Sequence, residues 1–193
     1  MTFLDMVTLL QPRKQGVASL NHFTPDEMDI FQCQRRGQDA DENPVVTLNV
    51  NGRLMMSDGI VKAATGRVLI GGLGIGMILP PILRKPDVTH VVVIERYQDV
   101  VDIVLPQLAD LPGIEKLHVI TADILTWRPE KGTKFNCIYF DIWPDICTDN
   151  LIEMAKLHRA FARYKAEGAY MDSWCRDLLK SRKRSEARNP WRI

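Results

Sequence analysis

The sequence predicts an α/β fold built on an open parallel sheet, because short apolar runs alternate with stretches suited to helices. Four continuous apolar runs and a weaker fifth are the candidate strands, at 68–70, 91–94, 117–120, 135–140 and 169–171. Helices are expected between them, at about 75–84, 97–108 and 149–166. Strands that are apolar throughout, without alternation, are typical of a parallel sheet covered on both faces.

Composition indicates one compact cytoplasmic domain. A chain of 193 residues is long enough for one sizeable core, and 46% hydrophobic and 25% charged residues are ordinary for a soluble globular protein. The apolar stretches are too short to cross a bilayer, and the N-terminus lacks the basic start of a secretory signal. Four cysteines without C-x-x-C spacing read as reduced thiols, so neither a disulfide framework nor a metal site is expected.

Residues 1–44 are interpreted as a helical or irregular N-terminal segment. Thr24, Pro25 and Glu27 have the pattern of an N-cap, a first-turn proline and a capping box. This pattern predicts a helix that ends near Arg36, before Gly37.

A small hairpin is expected to open the main domain, which is assigned to residues 45–175. Two β-prone runs, 45–50 and 53–56, flank Asn51-Gly52. Asn-Gly between such runs is a strong hairpin signal, because a type I′ turn needs positive φ at both central residues.

The C-terminal segment 176–193 is the basic part of an otherwise slightly acidic chain. It has seven Lys/Arg and two Asp/Glu, a net charge of +5, whereas the whole chain carries only +1. A solvated helical face or a disordered tail is the favoured interpretation, and contact with nucleic acid is the alternative. A small-molecule partner is expected in preference to nucleic acid, and no membrane partner is expected.

A glycine-rich loop follows the first strand of the main domain, as Gly71-Gly72-Leu73-Gly74-Ile75-Gly76. Glycines there permit a tight strand-to-helix turn and a close approach of a ligand to the backbone, although packing alone can also require them. The dinucleotide pattern G-x-G-x-x-G fails, because position 77 is Met77, and there is no P-loop pattern. The spacing is instead G-x-G-x-G, at Gly72, Gly74 and Gly76.

This loop resembles the cofactor loop of class I S-adenosylmethionine-dependent methyltransferases, and GGLGIG is similar to that of their spermidine synthase-like branch. The resemblance covers about residues 45–175. It implies a Rossmann-like sheet of order 3-2-1-4-5 that binds S-adenosylmethionine or its decarboxylated form. Because only about twenty residues follow the fifth strand, the usual terminal strand pair is expected to be missing. The exposed fifth-strand edge then needs to be covered, either by self-association or by the C-terminal tail folding over it.

Acidic residues follow the second and third strands. Glu95 ends the second strand, where a carboxylate can accept both hydroxyls of a ribose, and Arg96 follows it. A ribose carboxylate serves NAD and S-adenosylmethionine alike, and a solvated strand-end acid is the alternative. The resemblance implies that Asp123 accepts the adenine amino group and that Ile124 packs on the ring. For Asp123, a helix N-cap is the other possibility.

The fourth strand ends in Phe-Asp-Ile-Trp-Pro-Asp, which contains Asp141, Trp143 and Asp145. The resemblance implies that this segment faces the transferred group, and Asp141 matches the aspartate that helps to deprotonate the amine in polyamine synthases. Asp141 would act as a general base or as partner of a cation, with a loop cap as the alternative. Trp143 would line the substrate site or belong to the core. Asp145 resembles the second acidic residue of the same segment in polyamine synthases. Asp172–Trp174, at the end of the fifth strand, are weaker candidates at the same edge of the sheet.

The function predicted from these features is methyl transfer from S-adenosylmethionine to an unidentified acceptor. Aminopropyl transfer from the decarboxylated cofactor is the alternative within the class. A non-catalytic adenosyl-ligand binder is a second hypothesis, motivated by the short C-terminus. An NAD-dependent oxidoreductase is a third, which Met77 disfavours.

Overall fold

The structure is a computed structural model that describes residues 30–38, 44–51, 58–144 and 146–188. Its strands are β1 Ile30–Gln38, β2 Pro44–Asn51, β3 Gly66–Gly71, β4 Val88–Glu95, β5 Leu117–Thr121, β6 Phe135–Phe140 and β7 Lys165–Ser173. Its α-helices are α1 Asp58–Ala63, α2 Leu79–Leu83, α3 Gln98–Val104, α4 Asn150–Phe161 and α5 Arg176–Arg188. Short 3₁₀ helices occupy Leu105–Leu108, Ile114–Lys116 and Ala162–Tyr164.

Strands β3 to β7 form one parallel sheet in the order β5-β4-β3-β6-β7. Counted from the first strand of the domain, this is the predicted order 3-2-1-4-5, so the predicted fold class is confirmed. In register, Gly71 of β3 lies between Ile94 of β4 and Phe140 of β6. The carboxyl ends of the three central strands are therefore level, and the residues that follow them meet at one edge of the sheet.

Burial explains why the apolar runs became central strands. Val68, Leu69 and Ile70 of β3 are at most 1% exposed, which requires cover on both faces of the sheet. The outermost strand β5 differs, since Ile120 is 38% exposed. Phe161 of α4 packs edge-on against Phe140, with ring centroids 5.2 Å apart, and so anchors this helix on the sheet.

The predicted N-terminal helix is wrong over its described part, because Ile30–Gln38 is a strand antiparallel to β2. The Thr24 capping pattern lies outside the described residues. Residues 31–34 read Phe-Gln-Cys-Gln, an apolar–polar alternation with a period of two, which favours a strand. The capping pattern at 24–27 indicates a helix and therefore conflicts with this alternation. The predicted run 45–50 is a strand, whereas the Asn51-Gly52 turn and run 53–56 extend outside the described residues.

Two predicted helices are shorter in the structure, and the one expected at 149–166 is α4, Asn150–Phe161, because β7 begins at Lys165. The helix expected at 75–84 is only α2, Leu79–Leu83. Pro80 lies in its first turn, which is a typical place for proline at a helix start, and the residues before Leu79 are not helical. The described part of the basic segment is helix α5, which shows one buried side chain, Leu179. Among the described residues, no helix is long and apolar enough to cross a membrane.

Candidate active site

Gly72 brings the glycine loop against the end of β6. Its φ is +96°, and a Cβ at this position would collide with the carbonyl oxygen of Asp141. The Gly72 N–H donates to the Ile94 carbonyl (2.8 Å), and the Asp141 N–H donates to the Gly71 carbonyl (2.7 Å). Contacts within the chain thus require glycine at position 72. Packing alone, which was one of the two explanations for the loop glycines, accounts for this residue.

Gly74 differs from the glycines around it. Its φ is +52°, yet an added Cβ would have no atom within 4 Å, whereas at Gly76 it would meet Leu108 and at Gly71 it would meet Phe140 and Ile124. Of the four glycines of this loop, Gly74 is therefore the one whose Cβ position is open. This open backbone is where a ligand could approach the loop.

The Glu95 carboxylate is buried beside this loop, and Glu95 is only 6% exposed. Its Oε2 accepts the Leu73 N–H of the glycine loop at 2.8 Å, and its Oε1 accepts the Tyr97 N–H at 2.9 Å. Both oxygens are fixed in orientation by backbone donors. Because a carboxylate oxygen has two acceptor sites, each oxygen can still accept one more hydrogen bond.

Asp123 lies at the end of β5, across from Arg96. Its Oδ1 accepts the Leu125 N–H at 2.9 Å and so caps a turn at 124–126, whereas the described residues directly after Asp123 form no helix and the helix N-cap alternative is wrong. Its Oδ2 lies 3.7 Å from Arg96 Nε, with the Arg96 side chain 61% exposed and that of Asp123 31% exposed. An ion pair this exposed contributes little to stability, so this oxygen can exchange partners readily.

Ile124 packs beneath the glycine loop. It is 3% exposed and lies against the Cβ position of Gly71, in the core of the domain. It therefore supports the loop from below and presents little of its own surface.

Asp141 follows β6 and is positioned by its backbone bond to Gly71. Burial raises the pKa of its carboxyl group to about 7. Near neutral pH, such a group can both accept and release a proton. Burial, assisted by the nearby Asp141 charge, also raises the pKa of Cys175 to about 12, so this thiol stays protonated.

Trp143 packs inward. It is 8% exposed, and its Nε1–H donates to Glu153 Oε2 on α4 at 2.9 Å. In this position it braces the segment after β6 against α4. Asp145 lies outside the described residues.

A polar cluster lies at the end of β7, where Asp172 and Ser173 were candidates from the sequence and His158 was not. His158 Nε2 lies 2.8 Å from Ser173 Oγ, and Ser173 is 3% exposed. Burial, followed by the charge of Arg176, lowers the pKa of His158 to about 4. Asp172 Oδ1 pairs with Arg176 at 3.5 Å, and its Oδ2 accepts the hydroxyl of Tyr170 at 3.4 Å.

The i,i+4 spacing of Asp172 and Arg176 was a readable signal. Nothing local in the sequence pairs His158 with Ser173, because only the packing of α4 on β7 brings them together. In the part of the chain that the structure describes, no three His, Cys, Asp or Glu side chains are grouped as a metal ion would need.

No protein-family model matches the chain, and no curated protein matches it either. Solved structures do match. The CcbJ methyltransferase from Streptomyces caelestis has a TM-score of 0.48 at 16% identity, covering 57% of this chain and 44% of that one. The glycopeptide N-methyltransferase MtfA complexed with sinefungin has a TM-score of 0.46 at 14% identity, covering 61% and 48%.

The YcgJ protein from Bacillus subtilis matches with a TM-score of 0.44 at 20% identity, covering 58% of this chain and 47% of that one. The chain thus spans about half the length of each of these three proteins. Its strand order establishes, independently of them, a Rossmann-like α/β fold with an open five-stranded parallel sheet.

Proposed function

We propose that this protein is an S-adenosylmethionine-dependent methyltransferase whose cofactor binds at the carboxyl edge of the sheet. The observation that carries the proposal is the Glu95 carboxylate, buried beside the glycine loop and oriented by the Leu73 and Tyr97 amides. Two fixed acceptor oxygens suit the two adjacent hydroxyls of a ribose. The proposal extends to S-adenosylmethionine because the loop is G-x-G-x-G and not the dinucleotide pattern.

The surrounding residues fit the remaining parts of such a cofactor. The open space at Gly74 admits a ligand close to the backbone, at the amino-acid end. Asp123 Oδ2, now facing Arg96, is an acceptor for an adenine amino group. Arg96 is a cation at the same edge and can release Asp123 when that amino group binds.

Asp141 is the proposed catalytic residue. When bound, S-adenosylmethionine supplies a methyl group already activated by its sulfonium, so the protein mainly has to align an acceptor and manage its proton. The carboxyl group of Asp141, with its pKa raised to about 7, can take the proton that an amine or hydroxyl acceptor loses. Its negative form also favours a cationic sulfonium over a neutral thioether, which would assist release of the product.

Calorimetric titration with S-adenosylmethionine, its decarboxylated form, S-adenosylhomocysteine and NAD tests the proposal. We expect saturable binding of S-adenosylmethionine and S-adenosylhomocysteine, weakened in Glu95→Gln by about tenfold or more, because hydrogen bonds to a charged group are lost. Glu130→Gln, at an exposed position, is the matched control and should bind as the wild type does.

The other ligands give the contrary outcomes. Preference for decarboxylated S-adenosylmethionine would reassign the protein to aminopropyl transfer, and preference for NAD would reassign it to hydride transfer. Absence of binding to all four would refute the cofactor site.

A further inference from the structure

We propose that helix α5 docks the phosphate backbone of a nucleic acid through its outer half. Three exposed cations on the same side of the helix define this α5 cationic surface: Lys183, Arg184 and Arg188. The proposal concerns a docking surface and stands independently of the methyl transfer proposed above.

Charge in the chain is segregated onto this helix. Residues 176–188 contain six Lys/Arg and two Asp/Glu, a net charge of +4, although the whole chain carries only +1. The rest of the molecule is therefore acidic. A polyanion would be repelled from the body and attracted to α5, which favours one defined binding orientation.

The outer half of α5 has no role in the core. Leu179 is fully buried and fixes the first turns, whereas every residue from 181 to 188 is exposed. In this helix, Lys180, Arg184 and Arg188 follow one another at i,i+4 spacing. Like charges at this spacing repel and destabilise an isolated helix, and a bound polyanion would remove that repulsion.

The cations of this surface are not neutralised within the described chain. Arg176 pairs with Asp172, and Lys180 pairs with Asp177, but both belong to the inner half of the helix. Arg182 donates to the Ile146 carbonyl at 3.1 Å, and Arg184 donates to the Lys180 carbonyl at 3.2 Å. Among the described residues, no carboxylate forms an ion pair with any of the three cations of the α5 cationic surface.

The Arg182 bond to Ile146 fixes the position of the helix itself. Ile146 lies in the segment after β6 that contains Asp141 and Trp143, so α5 is held beside the candidate active site.

The chemistry of the surface favours nucleic acid over an anionic membrane. A membrane-surface helix needs an apolar face, but the exposed large apolar side chain of α5 in the described structure is Leu178 alone. Helix α5 itself contains no Phe, Tyr or Trp, so the contacts that its cationic surface offers are those of cations to phosphates. Contacts restricted to phosphates should make binding independent of sequence and strongly dependent on salt.

The test is fluorescence anisotropy of the full chain with a short labelled duplex, with salt varied from about 50 to 200 mM. The test variant is Lys183→Glu with Arg188→Glu. The control variant is Lys156→Glu with Arg159→Glu, two exposed positions on α4 that change the net charge equally. Circular dichroism confirms that both variants are folded.

We expect wild-type binding that does not depend on base sequence, a loss of about tenfold or more in the α5 variant and a much smaller loss in the α4 control. The slope of log affinity against log salt should become shallower by about 2 in the α5 variant, about 0.9 for each lost phosphate contact. No wild-type binding, equal losses in the two variants, or tighter binding to phosphatidylserine vesicles than to the duplex would overturn the proposal.

Discussion

Replacing Asp141 with asparagine is expected to stabilise the protein at neutral pH while removing the proposed catalytic group. Burial raises the pKa of this carboxyl group from 3.8 to about 7, so the folded protein holds a proton that the unfolded chain has released at pH 5 or 6. A group of this kind supports the folded state fully below pH 3.8, and its contribution declines as pH rises through 7. Asparagine is uncharged throughout and avoids this decline.

The magnitude follows from the size of the shift. A difference of about three pKa units corresponds to about 4 kcal/mol in the free energy of unfolding at pH 8. This value is a ceiling, because Asp141 keeps part of its surface exposed and water lowers the desolvation cost. The gain should vanish near pH 4, where both proteins carry an uncharged group in the folded state.

Urea unfolding of the wild type and of Asp141→Asn, followed by circular dichroism between pH 4 and 8, measures this difference. Asp110→Asn, at an exposed site, is the control and should give a small difference that does not grow with pH. An Asp141→Asn variant whose advantage is independent of pH, or that is less stable than the wild type at pH 8, would refute the reasoning.

Three further outcomes are expected, each measurable by urea unfolding. Gly74→Ala should cost about 1 kcal/mol from its positive φ alone, and Gly72→Ala several times more, because its Cβ also meets the Asp141 carbonyl oxygen; equal costs would contradict the proposed packing. His158→Gln should gain stability relative to the wild type as pH falls from 6.5 toward 4. The pKa of His158 is about 4 in the folded state and 6.5 in the unfolded chain, so the wild type loses stability over that interval. A stability difference that does not change with pH would contradict this prediction. Trp143→Phe should cost about 2 kcal/mol or more, since the smaller ring leaves a cavity and the bond to Glu153 is lost; an equal cost in a Glu153→Ala background, which has no acceptor there, would contradict that bond.

The sheet could be predicted from the sequence because its signal is both local and redundant. Each central strand is an apolar run that ends in glycine or an acid, and parallel strands place such endings at one edge. Gly71, Glu95 and Asp141 could therefore be assigned to a common edge before any coordinates. Their burial, the amides that hold Glu95 and the raised pKa of Asp141 depend on neighbours distant in sequence and could not be predicted.

The prediction of an N-terminal helix is wrong for the opposite reason. The local capping pattern indicates a helix, whereas the structure is decided by pairing with a later strand. Thr24 to Glu27 reads as a helix start, yet Ile30–Gln38 pairs as a strand with Pro44–Asn51. The pairing supplies backbone hydrogen bonds that a capping pattern does not reveal. The contact between His158 and Ser173 is similarly tertiary, since a helix and a strand meet there.

The most direct test of the central claim is a double-mutant cycle between Glu95 and the ribose. The affinities of S-adenosylhomocysteine and its 2′-deoxy analogue are measured by calorimetry for the wild type and for Glu95→Gln. We predict that loss of the hydroxyl weakens wild-type binding strongly and variant binding little, with a coupling free energy of about 1–2 kcal/mol. An equal loss in both proteins would show that Glu95 does not bind the ribose, and would contradict the proposed cofactor site.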